Sequence, residues 1–173
     1  MSNTELGPAI RPVHVAAGEG EAIWAMSSLF QIKLDGAASG GGLAVMEVVQ
    51  PPGVATPLHV HHREAEAFFL LEGTMTYEAA GALHHLERGS FMYLPKEVPH
   101  RFRVTGTSPV RFLGLVTPAG VEGLYRSVGG PADEHRLPEP SPDDVAAEIA
   151  RWGVVAPHYG LEVLGPPLPP EDN

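Results

Sequence analysis

Histidines cluster in the middle of the chain, where six of the nine fall between residues 59 and 100. His59 and His61 are separated by one residue, so in an extended strand both rings point to the same face. Glu66 follows after a gap of four residues, which suits a turn that returns the chain to the same interior. The spacing predicts two imidazoles and one carboxylate around one point.

A third imidazole comes from His100. It begins a segment in which strand alternation places Phe102 on the same face as His100, while Arg101 and Arg103 point the other way. Three neutral imidazoles and one carboxylate suit a divalent first-row metal such as Fe, Mn, Co, Ni, Cu or Zn, with a position left for water or substrate. The spacing does not choose among these metals.

Other polar residues compete for the same roles. Glu64 is the alternative carboxylate ligand. Only Glu66, however, keeps the expected gaps to both His61 and Gly73. His62 lies on the opposite strand face from its neighbours, which predicts an exposed side chain, and the adjacent His84 and His85 must diverge, as in a solvated hairpin. The alternative for the remaining histidines is an ordinary surface or core position, and their joint spacing favours metal ligands instead.

Short segments typical of β-strands surround these residues. Twenty glycines and 18 prolines in 173 residues exclude a helical bundle and favour a turn-rich all-β sandwich or barrel. The seven glycine-rich residues 36–42 predict a flexible turn. Strands are predicted at 22–34 (one or two strands), 43–49, 66–72, 74–78, 83–86, 91–94, 101–105 and 110–116.

The sequence pattern changes after residue 118, where helices replace the predicted strands. Helices are predicted at 121–128 and, after a cap at Ser141 and a first turn that contains Pro142, through 145–152, where Gly153 stops the second helix. Residues 165–173 are predicted to form an extended or loose tail. The chain length predicts one domain over 1–173. We divide it into an N-terminal arm (1–17), a β-barrel core (18–118) and a helical, proline-rich C-terminal extension (119–173).

Composition narrows the classes of function. A formal charge of −10 with scattered basic residues argues against a nucleic-acid partner, and the absence of cysteine excludes disulfides, thiolate zinc sites and cysteine nucleophiles. The longest apolar runs, such as 67–71, are far shorter than a membrane-spanning helix, and the first residues do not resemble a signal peptide. We therefore expect no membrane partner and a cytoplasmic protein.

Two motifs resemble those of the cupin superfamily. The first matches at every fixed position and the second is looser, with Glu97 in place of the usual glycine and Val104 in place of the usual asparagine. The motifs are Gly53, five residues, His59, one residue, His61, four residues, Glu66, six residues, Gly73; and Gly89, five residues, Pro95, then Pro99 and His100. The resemblance implies a short β-barrel of the double-stranded β-helix or jelly-roll type, with short C-terminal helices, that holds its metal through His59, His61, Glu66 and His100.

A narrower resemblance extends over about residues 18–165. The segments 58–73, 117–120 and 159–161 are similar to small bacterial single-cupin proteins of the flavonol (quercetin) 2,3-dioxygenase type. This implies a dioxygenase that cleaves a flavonol-like aromatic enol with O2, using one divalent metal (Ni, Co, Mn or Fe, with Zn or Cu as further options). In such enzymes the residue that matches Glu66 also accepts the substrate's hydroxyl proton. The alternatives are a non-redox metal-dependent cupin (isomerase, cyclase or lyase) and a non-enzymatic cupin that binds small molecules.

Apolar side chains on the predicted strands suggest two kinds of contact. Phe68 and Phe102 share the inner face of the ligands, so we expect both to contact a planar aromatic substrate. Both are also predicted core aromatics, together with Trp24, Phe30, Phe91 and Tyr93. Ala67, Phe69 and Leu71 face away from the metal and need a cover, from a terminal strand, the C-terminal helix or a second subunit, and we predict a homodimer.

Overall fold

Two antiparallel β-sheets make up most of the structure. The computed structural model describes residues 11–170. The strands are β1 Glu21–Ala25, β2 Ser28–Leu34, β3 Ala44–Gln50, β4 Pro57–His61, β5 Ala65–Glu72, β6 Thr74–Ala79, β7 Ala82–Glu87, β8 Phe91–Leu94, β9 His100–Thr105, β10 Val110–Thr117, β11 Gly130–Pro131 and β12 Leu161–Pro167. The helices are α1 Gly36–Ser39, α2 Glu122–Val128 and α3 Pro142–Val155, followed by a 3₁₀ turn, Ala156–Tyr159. Residues 1–10 of the predicted arm and 171–173 of the predicted tail lie outside the described residues.

The two sheets face each other as a jelly roll. One has seven strands in the order β11-β1-β2-β3-β10-β5-β8, and the other has five in the order β12-β4-β9-β6-β7. Among residues 11–170 they remain two sheets and do not close into one hydrogen-bonded barrel. The predicted all-β jelly roll with short C-terminal helices is confirmed, and no described helix is long and apolar enough to cross a membrane.

Strand alternation builds the core between the sheets. In β3 the buried positions are every second residue from Ala44 to Gln50, and β9 alternates in the same way from His100 to Val104. The inner face of each strand is mostly apolar, because alternate side chains point to the same side. The same alternation places Arg101 and Arg103 on the outer face, as predicted.

The predicted flexible turn at 36–42 is wrong at its start, where a short helix forms. Oδ1 of Asp35 accepts a hydrogen bond from the backbone N of Ala38 (2.9 Å), which caps the first turn of α1. Gly40 ends the helix in the left-handed conformation at φ 66°. A cap before two alanines is therefore enough to form one helical turn within a glycine-rich segment.

The second predicted helix is longer than expected. Ser141 and Asp144 form a capping box at its start, as the sequence suggests. The prediction that Gly153 stops it is wrong, because α3 continues to Val155 and passes into the 3₁₀ turn. A glycine inside a helix costs only about 1 kcal/mol relative to alanine, and the turn ends instead at Gly160, which has φ 79°.

The predicted extended or loose tail is extended at its start, where it forms the end of strand β12. Strand β12 pairs with β4, with Leu161 opposite His61. Arg101 and Arg103 hold the segment from the outer face of β9 by donating to the backbone carbonyls of Pro166 and Leu168 at 3.0 and 2.8 Å. The C-terminal segment therefore extends the five-stranded sheet.

Two of the predicted core aromatics are exposed. Strand β8 lies at the edge of the larger sheet, and its alternation buries Leu94 while Phe91 and Tyr93 are 62% and 55% exposed. Phe69 lies opposite Phe91 and is 39% exposed. Strand β12 joins the other sheet and does not cover this surface, so the predicted homodimer stays a prediction.

Gly73 makes the tight turn between β5 and β6. Its φ is +79°, and a Cβ there would lie 2.7 Å from the carbonyl oxygen of Pro109 and 2.9 Å from Cα of Val110. Gly73→Ala is expected to lower the free energy of unfolding by more than about 2 kcal/mol, because strain and a backbone clash add. Gly53 has φ +83° with no such neighbour within 4 Å, so Gly53→Ala should lose only about 1 kcal/mol. Equal losses in urea unfolding would contradict this account.

Candidate metal centre

Four buried side chains from three strands meet between the sheets. Strand β4 contributes His59 and His61, β9 contributes His100, and β5 contributes Glu66 from the facing sheet. His59 lies directly opposite His100 in the β4–β9 pair. One ligand atom from each residue lies within 4.8 Å of the others. The structure thus brings together the four residues that the sequence predicts as metal ligands.

Backbone carbonyls orient two of the three imidazoles. Nδ1 of His59 donates to the carbonyl oxygen of Pro57 at 2.8 Å, and Nδ1 of His100 donates to that of Val98 at 2.9 Å. In the neutral imidazole this leaves the lone pair on Nε2. Both rings therefore present an acceptor atom to the cluster.

The arrangement of acceptors requires a cation. Nε2 of His100 and Nε2 of His61 lie 3.2 Å and 3.4 Å from Oε2 of Glu66. Neutral imidazole nitrogens and a carboxylate oxygen all carry lone pairs, so in a buried site they need a proton or a metal ion between them. A set of three imidazoles and one carboxylate fits a divalent transition metal.

Burial and mutual charge set the protonation of the cluster. Burial raises the pKa of Glu66, but charge on His61 and the close contact with Nε2 of His100 outweigh it and bring the pKa to about 2. Burial, with the neighbouring imidazoles, lowers the pKa of His59 to about 4. Burial also opposes protonation of His61, yet the carboxylates of Glu66 and Glu64 raise its pKa above the usual value. Without metal, Glu66 is ionised, and His61 keeps its proton to a higher pH than a free imidazole.

Metal binding is expected to release a proton at pH values below the raised pKa of His61, because a divalent ion displaces the proton on His61 while His59, with a pKa of about 4, is already neutral. Below the pKa of His61, acidification should weaken the apparent affinity by about tenfold per pH unit. Calorimetric titration with Zn²⁺ in buffers of different ionisation enthalpy measures the release. A binding constant that does not fall as the pH drops below 6.5, the usual pKa of an imidazole, would count against this protonation state.

A cavity of about 250 Å³ adjoins the cluster, lined mostly by apolar side chains. Phe68 and Phe102 both line it, and each ring centroid lies 5.2 Å from that of Tyr77. The hydroxyl of Tyr77 is buried without a hydrogen-bond partner. Burial, with the charge of Glu66, raises the pKa of Tyr77 well above its usual value, so the hydroxyl keeps its proton. The cavity is therefore mostly apolar, and the Tyr77 hydroxyl is a hydrogen-bond donor available to it.

Helix α3 covers part of this cavity. The indole of Trp152 stands perpendicular to the ring of His59, with 6.4 Å between centroids. Val145, Glu148 and Ile149 of the same helix also line the cavity. Their spacing of three and four residues indicates one helix face, but the sequence analysis does not assign that face to the site, because spacing identifies a face and not the surface that it covers.

The glutamate in the second motif keeps the turn that a glycine would make. Glu97 adopts φ 66°, in the left-handed region. Its backbone N donates to the carbonyl oxygen of His61 at 2.8 Å, and its carboxylate accepts from Nδ1 of His62 at 2.9 Å. The departure from the motif therefore leaves the turn before β9 intact and ties it to β4.

The competing polar residues lie outside the cluster. His62, His84 and His85 are exposed, as predicted. Nε2 of His62 also contacts Glu162 of β12 at 3.0 Å. Glu64 is only 4% exposed and lies behind His61, with 3.9 Å between Oε1 and Nδ1. Its spacing in the sequence makes Glu64 a rival of Glu66 and does not indicate a position behind the ring of His61.

A family model matches the middle of the chain. Residues 45–116 match the cupin domain family, which confirms the resemblance to cupins for this part of the chain. The quercetin 2,3-dioxygenase of Bacillus subtilis (strain 168) is 27% identical over 135 residues, which cover 78% of this chain and 40% of that protein. An uncharacterized protein of Methanocaldococcus jannaschii is 27% identical over 70 residues, or 40% of this chain and 56% of that one. The chain thus matches about half or less of the length of these relatives.

Solved structures share the fold. A predicted oxalate decarboxylase from Thermotoga maritima has a TM-score of 0.56 at 18% identity and covers 61% of this chain and 99% of its own. An RmlC-like cupin from Shewanella frigidimarina has a TM-score of 0.54 at 17% identity and covers 66% and 99%. At these identities the likeness concerns the fold alone.

Proposed function

We propose that this protein is a metal-dependent dioxygenase that cleaves a flavonol-like aromatic enol with O2. The observation that carries the proposal is the buried cluster of three histidines and one glutamate beside an apolar cavity. The similarity to the Bacillus subtilis quercetin 2,3-dioxygenase supports the choice of substrate class. In this proposal His59, His61, Glu66 and His100 hold one divalent ion, with Ni, Co, Mn or Fe preferred.

The cavity walls suit a planar, oxygen-bearing ring system. Phe68 and Phe102 offer aromatic surfaces on either side of Tyr77. The Tyr77 hydroxyl, which keeps its proton, would donate a hydrogen bond to a substrate oxygen. These groups bind and orient the ring system, and the apolar walls exclude water from it.

Glu66 is the proposed proton acceptor. A bound divalent ion would lower the proton affinity of a substrate enol oxygen. Glu66 has a pKa of about 2, so it is a carboxylate at working pH and is free to accept that proton. Its low basicity means that it accepts a proton only from a hydroxyl that has become acidic.

Oxygen uptake tests the proposal. Metal-free protein is loaded separately with Ni, Co, Mn and Fe, and each sample is offered quercetin in an oxygen electrode. Uptake that depends on the metal and is lost in His100→Ala supports the proposal. No uptake with any metal would refute quercetin as the substrate, and turnover of an enol under anaerobic conditions would favour the non-redox alternative.

A further inference from the structure

We infer that Glu64 is a positioning residue for the metal ligand His61, an inference that rests on the proposed metal centre. The three imidazoles differ in how they are held. His59 and His100 each donate Nδ1–H to a backbone carbonyl. Nδ1 of His61 is buried and has no hydrogen-bond partner. The group that faces it is the Glu64 carboxylate, with Oε1 at 3.9 Å.

The burial of Glu64 is otherwise unexplained. Its residue is 4% exposed, and its Oε2 has no hydrogen-bond partner. A buried carboxylate is costly unless it is paired or hydrogen-bonded. Within residues 11–170, the ion pair that the structure gives to Glu64 is the one with His61. The unpartnered Nδ1 of His61 therefore faces a buried carboxylate that has one oxygen, Oε2, without a hydrogen-bond partner.

A metal ion would bring the pair together. An ion bound at Nε2 of His61 leaves the ring proton on Nδ1, where it can only be donated away from the cluster. Glu64 is then the acceptor, and the contact shortens from 3.9 Å to about 2.8 Å, the usual length of a charge-assisted hydrogen bond. Such a carboxylate fixes the tautomer and the orientation of a metal-bound imidazole.

Charge balance gives Glu64 a second effect. A divalent ion with three neutral imidazoles and the Glu66 carboxylate has a net charge of +1. The adjacent Glu64 carboxylate makes the set neutral, which lowers the cost of holding the ion in the protein interior. The spacing of Glu64 does not fit the ligand motif, but its negative charge would stabilise the bound ion through His61.

The test is a metal titration with Zn²⁺ and Co²⁺. Glu64→Gln and Glu64→Leu are expected to bind both ions about 10- to 100-fold more weakly than the wild type, with the larger loss in the leucine variant. Glu122→Gln is the matched control, because Glu122 is also 4% exposed but accepts hydrogen bonds from backbone N–H groups of Gly36 and Gly120. Its metal affinity should stay within about twofold of wild type.

Two further measurements separate positioning from a general structural effect. In a His61→Ala background, Glu64→Gln should cause no further loss of affinity. In the Zn²⁺-loaded wild type, nitrogen-15 NMR should place the ring proton of His61 on Nδ1, a result that needs no folded variant. A ring proton on Nε2 would overturn the inference. So would wild-type affinity in both Glu64 variants, with the metal centre left intact, whereas failure of the wild type to bind any metal would overturn the proposed function as well.

Discussion

His100→Ala is expected to weaken the binding of divalent metal by more than about 100-fold, because loss of a direct ligand should exceed the 10- to 100-fold cost of removing an outer-sphere partner. His100 is 2% exposed, and its Nδ1 is fixed by the Val98 carbonyl while Nε2 faces Glu66 at 3.2 Å. No other described histidine lies where it could replace this ligand in the cluster. Metal content after dialysis and Co²⁺ absorption titrations measure the loss.

His84→Ala is the matched control for this variant. His84 is exposed on β7 and lies outside the cluster, so its removal should leave metal affinity unchanged. Thermal unfolding of the metal-free proteins checks that each variant is folded. If His100→Ala bound metal as tightly as His84→Ala, the proposed ligand set would be wrong.

The elements around the site were predictable where the signals are local. Strand β8 begins and ends as predicted, and β10 differs by one residue at its end. Alternation of apolar and polar residues with a period of two, bounded by glycine and proline, is enough to predict where these strands begin and end. The shared face of His59 and His61 follows from the same local rule. The pairing of His59 with His100 is different, because it joins residues far apart in the chain, and the family resemblance rather than spacing indicates it.

Contacts between distant segments explain the elements that the sequence analysis missed. Strand β12 forms because β4 offers a free edge and the Arg101 and Arg103 side chains hold the segment from outside. Phe91 and Tyr93 are exposed because alternation places them on the face of the edge strand β8 opposite to the buried Leu94. Neither strand order nor an edge can be read from alternation alone.

Position in the fold separates the roles of the two carboxylates near His61. Both Glu64 and Glu66 are buried, and both raise the pKa of His61. The motif spacing correctly selects the one that joins the cluster. It says nothing about the other, because the position of Glu64 behind the ring depends on the turn between β4 and β5.

Glu66→Gln is expected to lower kcat/KM for flavonol cleavage by about 10²- to 10⁴-fold at saturating metal, because the amide keeps the shape of the side chain but cannot accept the enol proton. Wild-type Glu66 has a pKa of about 2, so its ionisation should not limit activity at working pH. In the variant, the substrate must lose its proton to solvent. Its rate should therefore rise with pH by about tenfold per unit, up to the pKa of the substrate enol.

The pH profile separates the two roles of Glu66. Loss of metal would lower the activity of Glu66→Gln at every pH and would be reversed by added metal. Loss of the base would persist at metal saturation and would be relieved at high pH, where the flavonol enters already ionised. Glu66→Asp keeps a carboxylate and should retain the flat wild-type profile with a lower rate. Full turnover by metal-saturated Glu66→Gln at neutral pH would refute the assignment of Glu66 as the base and leave it only as a metal ligand.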